Sequence, residues 1–358
     1  MNVQSPTREP FNMSKAIVEC VPNISEGRDL DKVNRIVDAA RIDGVKILGV
    51  EPDPDYNRTV ITFAGTMNEV ENAACLLIEK AIEEIDMREH SGEHPRLGCV
   101  DVCPFIPISN ATMEDCAQMA IRVATKIGLY NVPVFLYGFA ATSEERRLLS
   151  SLRKGEYEGL AARFDNSTIL HGDSTRLPDF GSQQWDETSQ RSGGITIGAR
   201  DILLAYNVNI VDADPYVAQQ IGSIVRSSGR MVKSPDGERR FRTKGLLQHV
   251  QGMGVPLESH EMSQVSMNLQ NYRITNLHHA FDTISSLCKN MGSSTKGSEL
   301  VGLVPLEAMI EAGRWYGGEN QSDEECISSA IHHLGLDSIS PFDPKKRIIE
   351  WALQEGSQ

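Results

Sequence analysis

The segment Met87–Ile108, MREHSGEHPRLGCVDVCPFIPI, gathers titratable and metal-ligating side chains at the entrance to an apolar run. His94 precedes Pro95, which disfavours helix at the histidine, and follows Ser91-Gly92, so it belongs in an extended or turn conformation at the mouth of a strand. An imidazole that titrates near ~6.5 can accept and return a proton at neutral pH. His94 is therefore either an acid–base group facing a cleft or a hydrogen-bonded turn residue, and its neighbours alone leave both open. His90 is expected at a helix end, where it complements the dipole. A zinc site would draw on His94, Cys99 and Cys103, but a closed site needs a fourth ligand and none stands at suitable spacing. On a strand, Cys99, Asp101 and Cys103 share one face, where small thiols pack without metal. Nothing nearby would lower the pKa of either thiol as a nucleophile requires.

Asn57 and Arg58 follow the turn-rich PDPDY and open a strand, as a turn amide and surface cation or as substrate contacts. In VPNISEG, Asn23, Ser25 and Glu26 precede a helix, and capping accounts for all three. The glycine-rich Gly193–Asp201, GGITIGARD, has neither a P-loop lysine nor G-x-G-x-x-G spacing, so it is not read as a phosphate site.

The elements that must position these residues repeat in order. Lys15–Cys20 reads as a strand, Asp29–Ile42 as a helix, and VKILGVE and RTVITFAG as paired strands. Thr66 and Glu69 form a capping box ahead of a helix with Val70, Ala73, Ala74, Leu77 and Ala81 on one stripe, and LGCVDVCPFIPI closes the unit as a strand. The same β-α-β-β-α-β order returns as Ile202–Ile210, Pro215–Ser227, GLLQHVQGMG, QVSMNLQN, Asn276–Asn290 and SELVGLVP. The expectation is an α+β chain of two ferredoxin-like (βαββαβ) α/β sandwich subdomains, with their bare sheets facing each other. Between them fall helices at Thr112–Ile127 and Thr142–Lys154 around the strand PVFLYGF, then an irregular polar tract, Phe164–Ser192, read as a binding loop. The C-terminal part reads as a helix, a turn and a final short helix. Boundaries are expected at 1–12 for a flexible extension, 13–200 for the first subdomain and 201–358 for the second.

Composition narrows the partners. Hydrophobic residues make up 40% and charged residues 23% of the 358, and no apolar run approaches the ~20 residues that a membrane-spanning helix needs. A net charge of −14 opposes a phosphate-coating surface, so neither nucleic acid nor membrane is an expected partner. An anionic small substrate requires basic residues focused in one cleft. The seven cysteines are an odd number scattered through apolar segments without a secretory signal, which points to reduced core thiols and a cytoplasmic protein.

VECVPNISEG, NRTVITFAG, SGEHPRLGCVDVCPFIPI, VPVFLYG, KGEYEGL, PDFG, ITIGARDILLAYNVNI, QVSMNL, GSELVGLVP and LGLDSISPFDPKKRIIEW occur in order from about Met13 to Trp351. Together they closely resemble the formiminotransferase family: glutamate formimidoyltransferase, the formiminotransferase half of formimidoyltransferase-cyclodeaminase. The resemblance implies two ferredoxin-like subdomains with a substrate tunnel between them and His94 of GEHPR as the catalytic acid–base. It implies transfer of the formimino group of N-formimino-L-glutamate to N5 of tetrahydrofolate, in mono- or polyglutamylated form, with tetrahydrofolate as co-substrate, no metal, and a homodimer. Folate recognition is expected from Gly181, Ser182, Gln183, Gln184, Trp185, Gly193 and Gly194, with Trp185 stacking on a folate ring. Asn57, Arg58, Arg96 and Arg200 are expected at substrate carboxylates, which suit the arginine fork. Since the bifunctional relatives continue into a cyclodeaminase domain, a separate cyclodeaminase is an expected partner. Formyl transfer between 5-formyltetrahydrofolate and glutamate, or a non-catalytic folate-binding paralogue, fits the same residues.

Overall fold

The computed structural model describes residues 16–54, 56–92, 95–165, 175–257 and 260–354. The expected extension, residues 1–12, lies outside them. The chain divides between Asp201 and Ile202 into two compact units.

In the N-terminal unit the strands are β1 (Ile17–Cys20), β2 (Asn23–Ile24), β3 (Val45–Asp53), β4 (Arg58–Thr66), β5 (Val100–Ser109), β6 (Val134–Gly138) and β7 (Ile195–Ala199). Across the sheet they run β3, β4, then β1 and β2 end to end, then β5, β7 and β6. The first four positions are antiparallel, whereas β7 and β6 run parallel to β5. Helices α1 (Leu30–Ala39), α2 (Met67–Glu84) and α3 (Met113–Gly128) belong to the core on one face, where Val33, Leu77 and Val123 join Ile61, Phe63 and Phe105 of the strands. The periodicity that predicts these helices is the stripe they bury. On the other face, Val102, Phe135 and Tyr137 are covered by Leu152, Leu160 and Phe164 from an irregular segment.

The C-terminal unit carries β8 (Leu204–Ile210), β9 (Arg230–Lys233), β10 (Arg240–Thr243), β11 (Val250–Leu257), β12 (Met262–Leu269) and β13 (Thr295–Val301). Its sheet runs β11-β12-β8-β13, all antiparallel, beside helices α4 (Tyr216–Val225) and α5 (Leu277–Asn290). Two further helices follow, α6 (Leu306–Gly317) and α7 (Asp323–Leu334), and then short helices at Pro344–Arg347 and Ile349–Gln354.

Several expectations are corrected. The Thr142–Lys154 helix is broken into a turn at Glu144–Arg147 and another at Leu149–Leu152, because Leu148 is extended (ψ 118) and buried Arg146 turns inward to an ion pair with Asp179. The strand expected from Gly245 starts only at Val250, after His249 in the left-handed region (φ 53). The β9–β10 hairpin and α6 were not expected. β9 and β10 are short and half charged, and α6 buries mainly small residues, Ala308, Ala312 and Gly313. Thr66 is the N-cap of α2 but makes no side-chain capping bond, and Glu69 instead packs against Gly44, with its Oε2 buried and unpaired among the described residues. Capping boxes form elsewhere, as at α3, where Thr112 Oγ1 accepts from Asp115 N–H at 3.1 Å and Asp115 accepts from Thr112 N–H at 2.9 Å. Thr112→Ala should lower stability by about 1 kcal/mol and Thr66→Ala by no more than a few tenths, measured by urea unfolding of the full chain. Equal losses would contradict this assignment of caps.

Candidate active site

Asn57 joins three segments that are remote in sequence. Its backbone is left-handed (φ 49), which asparagine tolerates better than most residues and which turns the chain into β4. Its side-chain Oδ1 accepts from Gly27 N–H at 3.0 Å and its Nδ2 donates to Ser91 O at 2.9 Å. Its own carbonyl lies 3.0 Å from His90 Nε2. Arg96 Nε donates to His90 Nδ1 at 3.1 Å, so the imidazole is neutral with its proton on Nε2, donated to Asn57 O. Burial, aided by the charge of Arg96, holds the His90 pKa below its ordinary value although the bond to Asn57 opposes this. His90 thus stands beyond the end of α2 at Glu84 and braces a turn, in place of the dipole role expected of it.

His94 lies outside the described residues. Its flanks are anchored: Gly92 packs so closely that an added Cβ would come within 2.8 Å of Asn57 Cβ, and Arg96 is 5% exposed. Arg96 donates to Glu158 at 2.7 and 3.0 Å and lies 3.4 Å from Glu156, with its guanidinium carbon 6.0 Å from the Tyr157 ring centre. Its fork is therefore engaged by protein carboxylates, and the bond from Arg96 holds Glu158 below the usual carboxylate pKa. The sequence carries no local sign of this pairing, because Glu158 stands 62 residues away.

The N-cap of α1 is Asp29, which accepts from Lys32 N–H at 3.0 Å, and none of the VPNISEG residues; Glu26 instead braces the turn before the helix. Its Oε1 accepts from the N–H groups of Gly27, Arg28 and Asp29 at 3.0–3.1 Å and its Oε2 from Lys32 at 3.1 Å. Burial would raise its pKa, but these donors outweigh it and the net shift is downward. Ser25 does not cap; its hydroxyl donates to Gly98 O at 2.7 Å.

Arg58 and Arg200 are not brought together. Alternation along β4 places Arg58 opposite the core residues Ile61 and Phe63, on the face away from α1–α3. Arg200 follows β7 on that same face, but its row is that of Ile106, Glu19 and Ala64. Ala64 is six residues along β4 from Arg58, so the two arginines stand roughly 20 Å apart along the strands. The Arg58 guanidinium has a buried Nε without a hydrogen-bond partner among the described residues, and its carbon lies 5.7 Å from the Tyr56 ring centre. Arg200 donates to the Asp201 carbonyl at 3.0 Å. Neither pairs with a carboxylate among the described residues.

The expected folate loop sits at the Arg96 end of the sheet. Gly193 bridges to Gly98, and Tyr157 OH donates to Gln190 O at 2.6 Å. Ser182 is buried and donates to Asp186 at 2.8 Å, while Gln183 and Gln184 are exposed. Gly181 and Gly193 both have positive φ (77 and 66), and Gly194 faces Phe135 so closely that a Cβ would meet its ring at 2.8 Å. Half-buried Trp185 packs on Tyr157 and Phe164, at centroid separations of 5.6 and 6.1 Å.

All seven cysteines are buried with free thiols, and burial pushes Cys99 up to about 12. Asp101 does not line up with the cysteines. Asn23 pairs with Val102 and Ile24 with Val100, leaving Asp101 as the extra residue of a bulge, where its carboxylate accepts from Leu97 N–H and pairs with Arg153. Among the described residues no cluster of His, Cys, Asp and Glu is placed to hold a metal. A cavity of about 380 Å³ in the C-terminal unit, bounded by Leu247, Asp282 and Trp315, is lined by none of the expected site residues.

Residues 17–200 match the formiminotransferase domain, N-terminal subdomain, and residues 205–354 match the formiminotransferase domain. The chain belongs to the formiminotransferase family. It is 40% identical over 348 residues to a formimidoyltransferase-cyclodeaminase of Dictyostelium discoideum, covering 95% of this chain and 60% of that relative's length. It is 38% identical over 311 residues to a glutamate formimidoyltransferase of Thermoplasma acidophilum and 36% over 302 residues to one of Streptococcus pyogenes, covering 86% and 84% of this chain and 95% and 93% of theirs. Family membership gives the GEHPR block its context, and the bonding around His90 can be tested directly. Nitrogen-15 NMR of the histidines should show His90 as the neutral Nε2–H form at pH 6.5, with a midpoint below that of a free imidazole. Arg96→Gln should move the midpoint upward. A wild-type midpoint at or above ~6.5 would rule out the bonding assigned here.

Proposed function

We propose that this chain is a glutamate formimidoyltransferase, moving the formimino group of N-formimino-L-glutamate to N5 of tetrahydrofolate and releasing 5-formimidoyltetrahydrofolate and L-glutamate. The observation that carries this reading is the similarity to two glutamate formimidoyltransferases over nine-tenths or more of their length. The strand order in each unit supports a pair of ferredoxin-like sandwiches. The donor places the reaction in histidine breakdown, the family resemblance supports a homodimer, and the seven buried free thiols support a cytoplasmic location.

His94 is the proposed acid–base. N5 attacks the amidine carbon, a tetrahedral adduct forms, and the glutamate nitrogen must gain a proton before the C–N bond breaks. One imidazole takes the proton from N5 and delivers it to the leaving nitrogen when both come within ~2.6–3.2 Å. His90 is a poor rival, since its Nδ1 accepts from Arg96 and its Nε2 donates to Asn57, so both nitrogens are engaged. Neither a metal nor a covalent enzyme intermediate is needed for this sequence. Arg58, beside the Asn57 junction, is the proposed contact for a formiminoglutamate carboxylate, its unpaired Nε supplying one arm of the fork. Gly181–Trp185 and Gly193–Gly194 are proposed to shape the folate end, and Arg96 acts by positioning the GEHPR segment.

The test is multiple-turnover formation of 5-formimidoyltetrahydrofolate from formiminoglutamate and tetrahydrofolate, with glutamate release followed alongside. Wild type should turn over, and folded His94→Ala should lose between about 10²- and 10⁴-fold in kcat. Arg58→Gln should act mainly by raising the KM for formiminoglutamate. An active His94→Ala enzyme would remove the histidine from the mechanism. Activity confined to 5-formyltetrahydrofolate and glutamate would replace the proposed donor.

A further inference from the structure

Tyr137, on β6, is 4% exposed, and its phenolic oxygen is buried without a hydrogen-bond partner among the described residues. Buried hydroxyls are nearly always paired, so an orphan of this kind has a donor left over for a water or a ligand group. Its placement depends on a neighbour. Tyr137 pairs with Gly198 of β7, and a Cβ at Gly198 would stand 2.8 Å from Tyr137 Cε1, so the ring lies across β7 only because that position has no side chain. Arg200 is two residues beyond Gly198 and so on the same face. Its charge is the principal influence opposing the rise that burial imposes on the phenol's pKa. Other charged groups nearby are engaged: Arg153 pairs with Asp101, and Glu19, on the Arg200 row across Ile106, has a partner of its own.

We propose that Tyr137 and Arg200 form a carboxylate subsite for the glutamate tail of the folate co-substrate. The phenolic O–H and the guanidinium N–H groups donate to one carboxylate, and the subsite stands roughly 20 Å along the strands from Arg58. This separation prevents Arg58 and Arg200 from holding one carboxylate, but suits a long molecule whose reacting ring and acidic tail lie at opposite ends. The proposal rests on the transferase reading given above and adds the place and donors of the tail.

Tetrahydropteroate, which has the reacting ring and the aminobenzoyl group but no glutamate, separates tail contacts from the rest. Tyr137→Phe should lose roughly tenfold in kcat/KM on tetrahydrofolate, through KM, and should be unchanged on tetrahydropteroate. Arg200→Gln should show the same split, which guards against a folding defect in either variant. Equal losses on both acceptors, or no loss on tetrahydrofolate, would overturn the subsite. If wild type transfers nothing, the transferase reading fails, and equilibrium binding of folate and pteroate to wild type and Tyr137→Phe decides the subsite separately. A preference for folate that the substitution removes supports it, and equal binding of both ligands rejects it.

Discussion

The arrangement of the N-terminal unit around its candidate site depends on one left-handed asparagine. At Asn57 the backbone takes a conformation that costs most L-residues roughly 1–2 kcal/mol, and the side-chain amide spans Gly27 N–H and Ser91 O. Glycine would relieve the backbone cost but supply neither hydrogen bond. The entry to α1, the start of β4 and the approach to the GEHPR block are consequently held to one residue. Because His90 donates to the carbonyl of Asn57 and accepts from Arg96, the same junction also reaches the far flank of that block.

Charge is distributed around this junction in a way that the net value of −14 conceals. Arg96 is neutralised by Glu158, with two bonds from a buried fork to an exposed carboxylate, which suits a brace better than a binding group. Arg58 and Arg200 lack carboxylate partners among the described residues, so their positive fields stand against an acidic background. Anion affinity is local: a cleft of low dielectric focuses the field of one or two cations even where the whole molecule repels the ligand.

The order of elements was legible because strands and helices that bury one face announce themselves by period. The two β-α-β-β-α-β runs carry large apolar residues at those periods, and their strands and helices appear close to where the pattern puts them. Legibility failed where burial relies on something other than large apolar side chains. Helix α6 packs with Ala308, Ala312 and Gly313, and β9 and β10 alternate weakly with charged residues, although Asp236-Gly237 between them was an available hairpin signal. At the site, Asn57 and Arg58 were marked by the turn before them. The braces formed by His90, Arg96 and Glu158 were not, since their partners are distant in sequence, and neither was the fit of Tyr137 over Gly198, which depends on the register of two parallel strands.

That register also bears on how a site of this kind would accelerate transfer. Formimino transfer between two soluble molecules demands that a nitrogen meet an amidine carbon along one line, and the largest gain available without new chemistry is to hold both partners in that line. A single cationic pocket cannot do so, because it fixes one end of one molecule and leaves the rest free to rotate. Two cations offset by roughly 20 Å along the strands of one sheet face would restrict translation and rotation together if each held one partner. The parallel pairing of β5, β7 and β6 extends the antiparallel sheet to the strand that Arg200 follows, so that under the proposed function the added strands would serve the site as well as the core.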